Sequence, residues 1–272
     1  MQAEISLTEL EEQMLETKGD EGALRFGGKT AGPDELVAIG DIRIRIAELT
    51  PEETAKTGPW LAQIENVDIF RFLAVHKTAD KTWAALRETS EWRKDNKIDT
   101  ILDEDIASGM FDEGEQEVFV CPPDRSGCPV VVYRSALHTP GRVDPKEFTR
   151  FVCQVVEKGT KDYGIGKTCQ GSFIVDRIGS GAKNQDVPLL RELLPTLQKH
   201  YPQTISKIYI APINTVFFLI WSVAQLLFDE DTRERVKLIK GDIKVELLKD
   251  FQPEVLPKNL GGDAVYPDAG VV

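Results

Sequence analysis

KDYGIGKTCQGSFIVDRIG, residues 161–179, carries Gly166-Lys167-Thr168 and so resembles a phosphate-cradling loop. Such a loop reads G-x-x-x-x-G-K-[ST], with backbone N–H groups around the phosphates and the lysine reaching the terminal ones. Counting back from Gly166, the first glycine belongs at position 161, which is Lys161. The order of elements also disagrees. A phosphate loop leaves a strand and opens a helix, whose N-terminus faces the anion. Here the preceding stretch, DPKEFTRFVCQVVEKGTKDY, spaces Phe148, Phe151, Val152, Val155 and Val156 at helical intervals, behind Asp144 as N-cap and Pro145 at N1. The following GSFIVDRIG is a short apolar run closed by a turn signal, the pattern of a buried strand. A helix arrives and a strand leaves, so the glycines read as a helix C-cap and a connector, and nucleotide binding is disfavoured.

Outward from this point the chain alternates strands and helices. EVFVC and PVVVYRSA flank the turn PPDRSG, and after GSFIVD come the helix VPLLRELLPTLQKHYP and the strand KIYIAPI. An apolar helix from Asn214, the strand VKLIK and a helix DIKVELLKDF follow. Strands separated by helices of this length predict an α/β fold with a mixed, partly parallel sheet. Upstream, DIFRFLAVHKTADKTWAALRETSEWRKDN reads as two amphipathic helices broken near Thr78, and Thr50-Pro51 as an N-cap and N1 pair. The expected organisation is a weakly ordered acidic lead-in over residues 1–50, a helical part over 51–110 and an α/β domain over 111–268.

Composition narrows the function. The 272 residues carry a formal net charge of -12, which argues against nucleic acid, where clustered Lys and Arg would be needed. Cys121, Cys128, Cys153 and Cys169 form no C-x-x-C pair, and His76, His138 and His200 lie far apart, so no metal or cofactor site is expected. The acidic start MQAEISLTELEEQ lacks a signal peptide, which predicts free thiols and a cytoplasmic protein. No G-x-S-x-G or H-E-x-x-H motif is present, and Asp176, at a strand end, is an acid in an enzyme-like position or a turn cap. An enzyme is not expected, and no catalytic residue is assigned.

Between Val216 and Phe228 the only polar side chains are Ser222 and Gln225. A helix apolar nearly all round is either core or meets something apolar that comes and goes. It is too short to cross a bilayer, which takes about 20 residues.

RFLAVHK followed by EWRKDNKIDT, then HYPQTISKIYIAPI, FDEDTRERVKL and LPKNLGG, in that order and spacing, resemble the CRAL-TRIO lipid-binding domains typified by phosphatidylinositol and phosphatidylcholine transfer proteins. The resemblance implies a mixed sheet with covering helices around an apolar pocket, preceded by a helical subdomain. It makes the 214–228 segment resemble a gate helix, with Phe217, Phe218, Ile220, Trp221 and Leu227 touching bound lipid and bilayer, and with Val131, Gly171, Phe173 and Tyr209 as further pocket positions. In phosphoinositide-binding members a Thr-x-x-Lys contacts the headgroup phosphate; here Thr232 and Arg235 occupy it, read either as headgroup ligands or as solvated helix surface. Two positions depart from the pattern: His76 replaces an arginine, and Gln203-Thr204 a Glu-Arg pair. Gly171, Phe173 and Val131 replace hydroxyl-bearing residues of the phosphatidylcholine site, so the pocket is expected to be more apolar.

The function implied is non-enzymatic binding and transfer of a phospholipid, phosphatidylinositol being the first candidate, or another hydrophobic ligand, with transient peripheral membrane contact. At about 0.8 kcal/mol per methylene, exposing a chain of about sixteen carbons to water costs roughly 12 kcal/mol, which a closed apolar pocket avoids. The alternative is a protein-interaction scaffold that engages a partner through the acidic N-terminal arm.

Overall fold

The computed structural model describes residues 23–107, 110, 117–125 and 127–264. Strands β1 (Arg25–Phe26) and β2 (Lys29–Thr30) form a hairpin across Gly27-Gly28, both with positive φ, as a two-residue primed turn requires. Helix α1 (Pro33–Ala47) follows, with Pro33 in its first turn and Glu35 accepting from the Gly32 N–H at 2.7 Å. Phe26, Ile39 and Ile42 are buried in one cluster with Leu61, Phe70, Phe72 and Leu86. The expected weakly ordered lead-in is therefore corrected over residues 25–47: that stretch is part of the helical core. Residues 1–22, the bulk of the acidic arm, lie outside the described residues.

The rest of the helical part comprises α2 (Pro51–Thr57), α3 (Trp60–Gln63), α4 (Asn66–His76) and α5 (Ala79–Asp95). Thr50 caps α2 and Thr78 caps α5, each side chain accepting from the N–H three residues on. The break near Thr78 is thus a pair of helix ends.

Five strands make the main sheet in the order β3 (Val118–Cys121), β4 (Val130–Arg134), β5 (Gly171–Asp176), β6 (Ile205–Ala211) and β7 (Val236–Leu238). β3 and β4 are antiparallel; the other pairs are parallel, each joined by a helical crossover. These helices are α6 (Pro145–Tyr163), α7 (Val187–His200) and α8 (Thr215–Ala224), followed by α9 (Glu230–Glu234) before β7 and α10 (Ile243–Leu247) after it. Register places Val131, Phe173, Ile208 and Val236 side by side on one face, and Val132, Ile174, Tyr209 and Lys237 on the other. The first face is covered by α6 and α7 over Val131 and Tyr133, and by α8 over Phe173, Ile208 and Ile210. The second is covered by α10, Phe251 and the Val255–Leu260 turn.

Two polar joints fasten the helical part to the sheet. Arg93, buried on α5, bonds Glu157 of α6 at 2.6 Å and Asp99 at 2.8 Å. Arg71 donates to the Pro202 carbonyl at 2.9 Å and pairs with Asp68, and Lys167 closes on the same carboxylate.

His200 makes a third joint, with Nδ1 3.0 Å from the Thr89 hydroxyl and its ring stacked on Trp92 at 4.0 Å between centroids. Burial, helped by Lys199, pulls its pKa down to about 4 from the ordinary 6.5. The neutral ring is favoured in the folded chain, so its contribution is present above pH 6.5 and is lost as pH falls toward 4. Denaturant melts should therefore show a smaller loss between pH 7 and pH 4 for His200→Phe, which keeps a flat ring on Trp92, than for the wild type.

Candidate functional site

The loop of residues 163–170 is settled by its hydrogen bonds. Gly164 ends α6 with a left-handed backbone, its N–H donating to Thr160 O, and the N–H groups of Lys167 and Thr168 turn back onto Gly164 O. Lys167 Nζ reaches Glu65 at 3.0 Å and also pairs with Asp68. The lysine of the apparent phosphate motif is thus spent on an ion pair, and the loop is a connector. Ile165 rests between Gly159 and Gly171, and a Cβ on Gly171 would lie 3.2 Å from its Cδ1. A side chain at position 171 would therefore press first on Ile165 and on the Pro129 carbonyl.

Helix α8 lies on the sheet face built from Phe173, Val175, Ile208 and Ile210. Asn214 caps it, accepting from the Phe217 N–H at 2.9 Å. Phe217 is buried against the sheet; its ring lies 6.1 Å from Trp221, which lies 5.5 Å from Phe228. The far end is held by Gln198 of α7, which donates to Leu227 O at 3.2 Å and accepts from the Asp229 N–H at 2.6 Å. The amide of one residue is the clasp on the segment. The outer surface stays apolar, with Leu226 74% and Phe218 37% exposed, and Lys240 sits over the Phe218 ring. The side chain of Ile220 lies outside the described residues.

Of the expected pocket positions, Phe173 lies under α8, with Phe217 and Trp221 above it. Val131 shares that face but packs with Phe148 and Phe151 of α6. Tyr209 is corrected: it points to the opposite face, donates to Asp250 at 2.9 Å and packs edge-on against Phe251.

The headgroup candidates do not converge. His76 stacks on Phe72, and burial followed by the charge of Glu88 sets its surroundings within α4 and α5. Arg235 donates to Gln203 Oε1 and to Ile205 O, both at 2.5 Å, and to Asp231 at 2.9 Å. Most of its five donors are already used inside the protein. Thr232 lies on α9, which Arg235 caps, with its N–H on Asp229 Oδ1 at 2.7 Å. Asp176 proves to be a turn cap: it accepts from the Ile178 N–H and from Asn259 of LPKNLGG.

A family profile described as CRAL/TRIO domain matches residues 114–262, more than half of the chain. The chain belongs to the CRAL/TRIO domain family. Among curated relatives, the Arabidopsis thaliana phosphatidylinositol/phosphatidylcholine transfer protein SFH9 is 27% identical over 219 residues, 72% of this chain and 36% of that protein. The Mus musculus tyrosine-protein phosphatase non-receptor type 9 is 24% identical over 237 residues, covering 79% of this chain and 38% of that one. The chain thus spans little more than a third of the length of these relatives. Its fold matches the crystal structure of Sfh5 with a TM-score of 0.63 at 14% identity, over 86% of this chain and 96% of the other.

Within this CRAL/TRIO domain lies a buried polar cluster that sequence reasoning missed. His138 bridges two carboxylates, Nδ1 to Glu117 at 2.6 Å and Nε2 to Asp186 at 3.1 Å, all with side chains at most 8% exposed. Burial opposes charge on the ring, but the bonds to Glu117 and Asp186 raise its pKa. Burial, then Glu117, holds the Tyr133 hydroxyl well above its ordinary value. Next to this cluster Arg177, the residue after β5, lies beneath Phe217, its Cζ 4.2 Å from the ring centroid. Period-two counting along Phe173, Val175 and Arg177 was the signal that would have put it on the α8 face. Among the described residues no group of three or more metal-ligating side chains could hold a metal ion, and no helix is long and apolar enough to cross a membrane.

Proposed function

We propose that this CRAL/TRIO domain holds a lipid or other hydrophobic molecule between α8 and the apolar sheet face, and passes it between membranes without making or breaking a bond. The observation that carries the reading is α8 itself. It is apolar toward the sheet through Phe217 and Trp221 and apolar toward solvent through Phe218, with Leu226 in the turn beyond it. A helix greasy on both sides gains from a bilayer when it swings outward. Asn214 and Gln198 mark the two ends between which such a swing would occur. The phosphatidylinositol/phosphatidylcholine transfer protein among the relatives supports a phospholipid as first candidate, phosphatidylinositol before phosphatidylcholine. Thr232 and Arg235 remain the proposed phosphate contacts, with Arg235 having to exchange Asp231 for the ligand; His76 is the weakest of the three.

Vesicle-to-vesicle transfer of a fluorescent phosphatidylinositol, with phosphatidylcholine and a single-chain fatty probe in parallel, tests this. Transfer of at least one lipid by catalytic amounts of protein, lost in Trp221→Asp, is expected. No protein-dependent transfer of any of the three would refute it.

A further inference from the structure

Among the described residues Arg177 is a buried cation that makes no salt bridge. It is 6% exposed, and its Nε has no hydrogen-bond partner. Its N–H donates to Ala211 O at 2.7 Å, which fixes the backbone at the carboxyl end of β5. The guanidinium faces the ring of Phe217, 4.2 Å away, with the Tyr133 hydroxyl acting on it as well. The nearby carboxylates are engaged elsewhere: Glu117 and Asp186 both bond His138, and Asp186 also accepts from the Leu189 N–H. Burial lowers its pKa, offset only by Tyr133, yet a guanidinium keeps its proton in proteins. A buried, always-charged group with an unmade hydrogen bond at Nε is costly, and one ring face above it compensates only part of that cost.

Taken with the proposed lipid site, on which this inference rests, the geometry points to Arg177 as the anchor for an anionic end group of the ligand, a carboxylate on an apolar chain. The chain would run along the wall of Phe173, Val175, Ile210 and Trp221, on the same side of the sheet as the guanidinium. Phe217 would lift off the guanidinium as the ligand enters, exchanging a cation–π contact for charge-assisted hydrogen bonds, which are stronger. The planar fork matches a carboxylate in two-point contact. A phosphate monoester shares the anionic chemistry, but its second charge would be repelled by Glu117 and Asp186, which already act on the Tyr133 hydroxyl beside Arg177.

The test compares cis-parinaric acid with its methyl ester on the full chain, with a lysophosphatidic acid as competitor. The wild type is expected to bind the acid about 10- to 100-fold more tightly than the ester, the range of a hydrogen-bonded charged group. In Arg177→Met that ratio falls to about one, while Arg177→Lys keeps part of it. The melting temperature of ligand-free Arg177→Met should equal or exceed that of wild type, because an unpaired buried charge has been removed. A wild-type ratio of one, or the same ratio in Arg177→Met, overturns the assignment while leaving lipid binding in place. Stronger competition by the lysophosphatidic acid than by the fatty acid overturns the carboxylate in favour of a phosphate. Failure of the wild type to bind either probe, together with no vesicle transfer, overturns the lipid site and this anchor with it.

Discussion

Gly262→Ala is expected to destabilise the protein by at least about 3 kcal/mol, the upper range for forced overpacking. A Cβ there would stand 2.0 Å from Leu256 O and 2.4 Å from Pro253 O. These are backbone atoms, so no rotamer change relieves the contact. Both carbonyls are also in use: Leu256 O accepts from Ala264 N at 3.0 Å and Pro253 O from Asp263 N at 2.7 Å. Moving them would open the turn that puts Val255, Leu256 and Leu260 against Val132, Ile174 and Tyr209. The last glycine of LPKNLGG is therefore a close-approach position, and the motif locks the sheet face opposite α8. Guanidinium or thermal melts measure the effect, and a variant as stable as wild type would show that the turn adapts freely.

The second large effect is expected at the membrane. Replacing Leu226 and Phe218 together by glutamate should weaken association with uncharged phosphatidylcholine vesicles by at least about 10-fold, since burying each large apolar side chain is worth roughly 1.5–3 kcal/mol. Uncharged vesicles matter because the chain already carries a net charge of -12, and added acids would repel anionic lipid regardless of where they stood. Leu226 at 74% exposure has few protein contacts to lose. Phe218 loses the Lys240 contact, for which a glutamate substitutes an ion pair. Sedimentation with vesicles reads the partition, and a double variant that binds as wild type would remove the outer face of α8 from membrane docking.

The strands and most helices were legible because their signals are local. Asp144-Pro145 starts α6 and Gly164 ends it, and the apolar runs of β3 to β7 each stand between turn residues. The hairpin before α1 is equally local, since Arg25-Phe26-Gly27-Gly28-Lys29-Thr30 is a two-residue glycine turn between β-compatible residues, although it lies in the stretch expected to be a weakly ordered lead-in. Faces were harder. Tyr209 stands between Ile208 and Ile210, and only the pairing of Phe173 with Ile208 tells which of them looks toward α8. The site polar groups depend on distant partners: nothing in Thr232-Arg233-Glu234-Arg235 announces that Arg235 will bond Gln203 and Ile205, about thirty residues earlier. Arg177 lay within reach of strand alternation; that its Nε is left without a hydrogen bond is visible only in three dimensions.

Protein purified without detergent should carry a stoichiometric apolar molecule, and solvent extraction followed by mass spectrometry is the most direct check on the idea that α8 closes over a guest. Space opened between α8 and Phe173, Ile208 and Ile210, which now pack with Phe217, would be too apolar to hold water. The account predicts one lipid-like species recovered in proportion to protein, and depleted in Trp221→Asp. A clean extract from wild type, joined to an absence of transfer between vesicles, would contradict it.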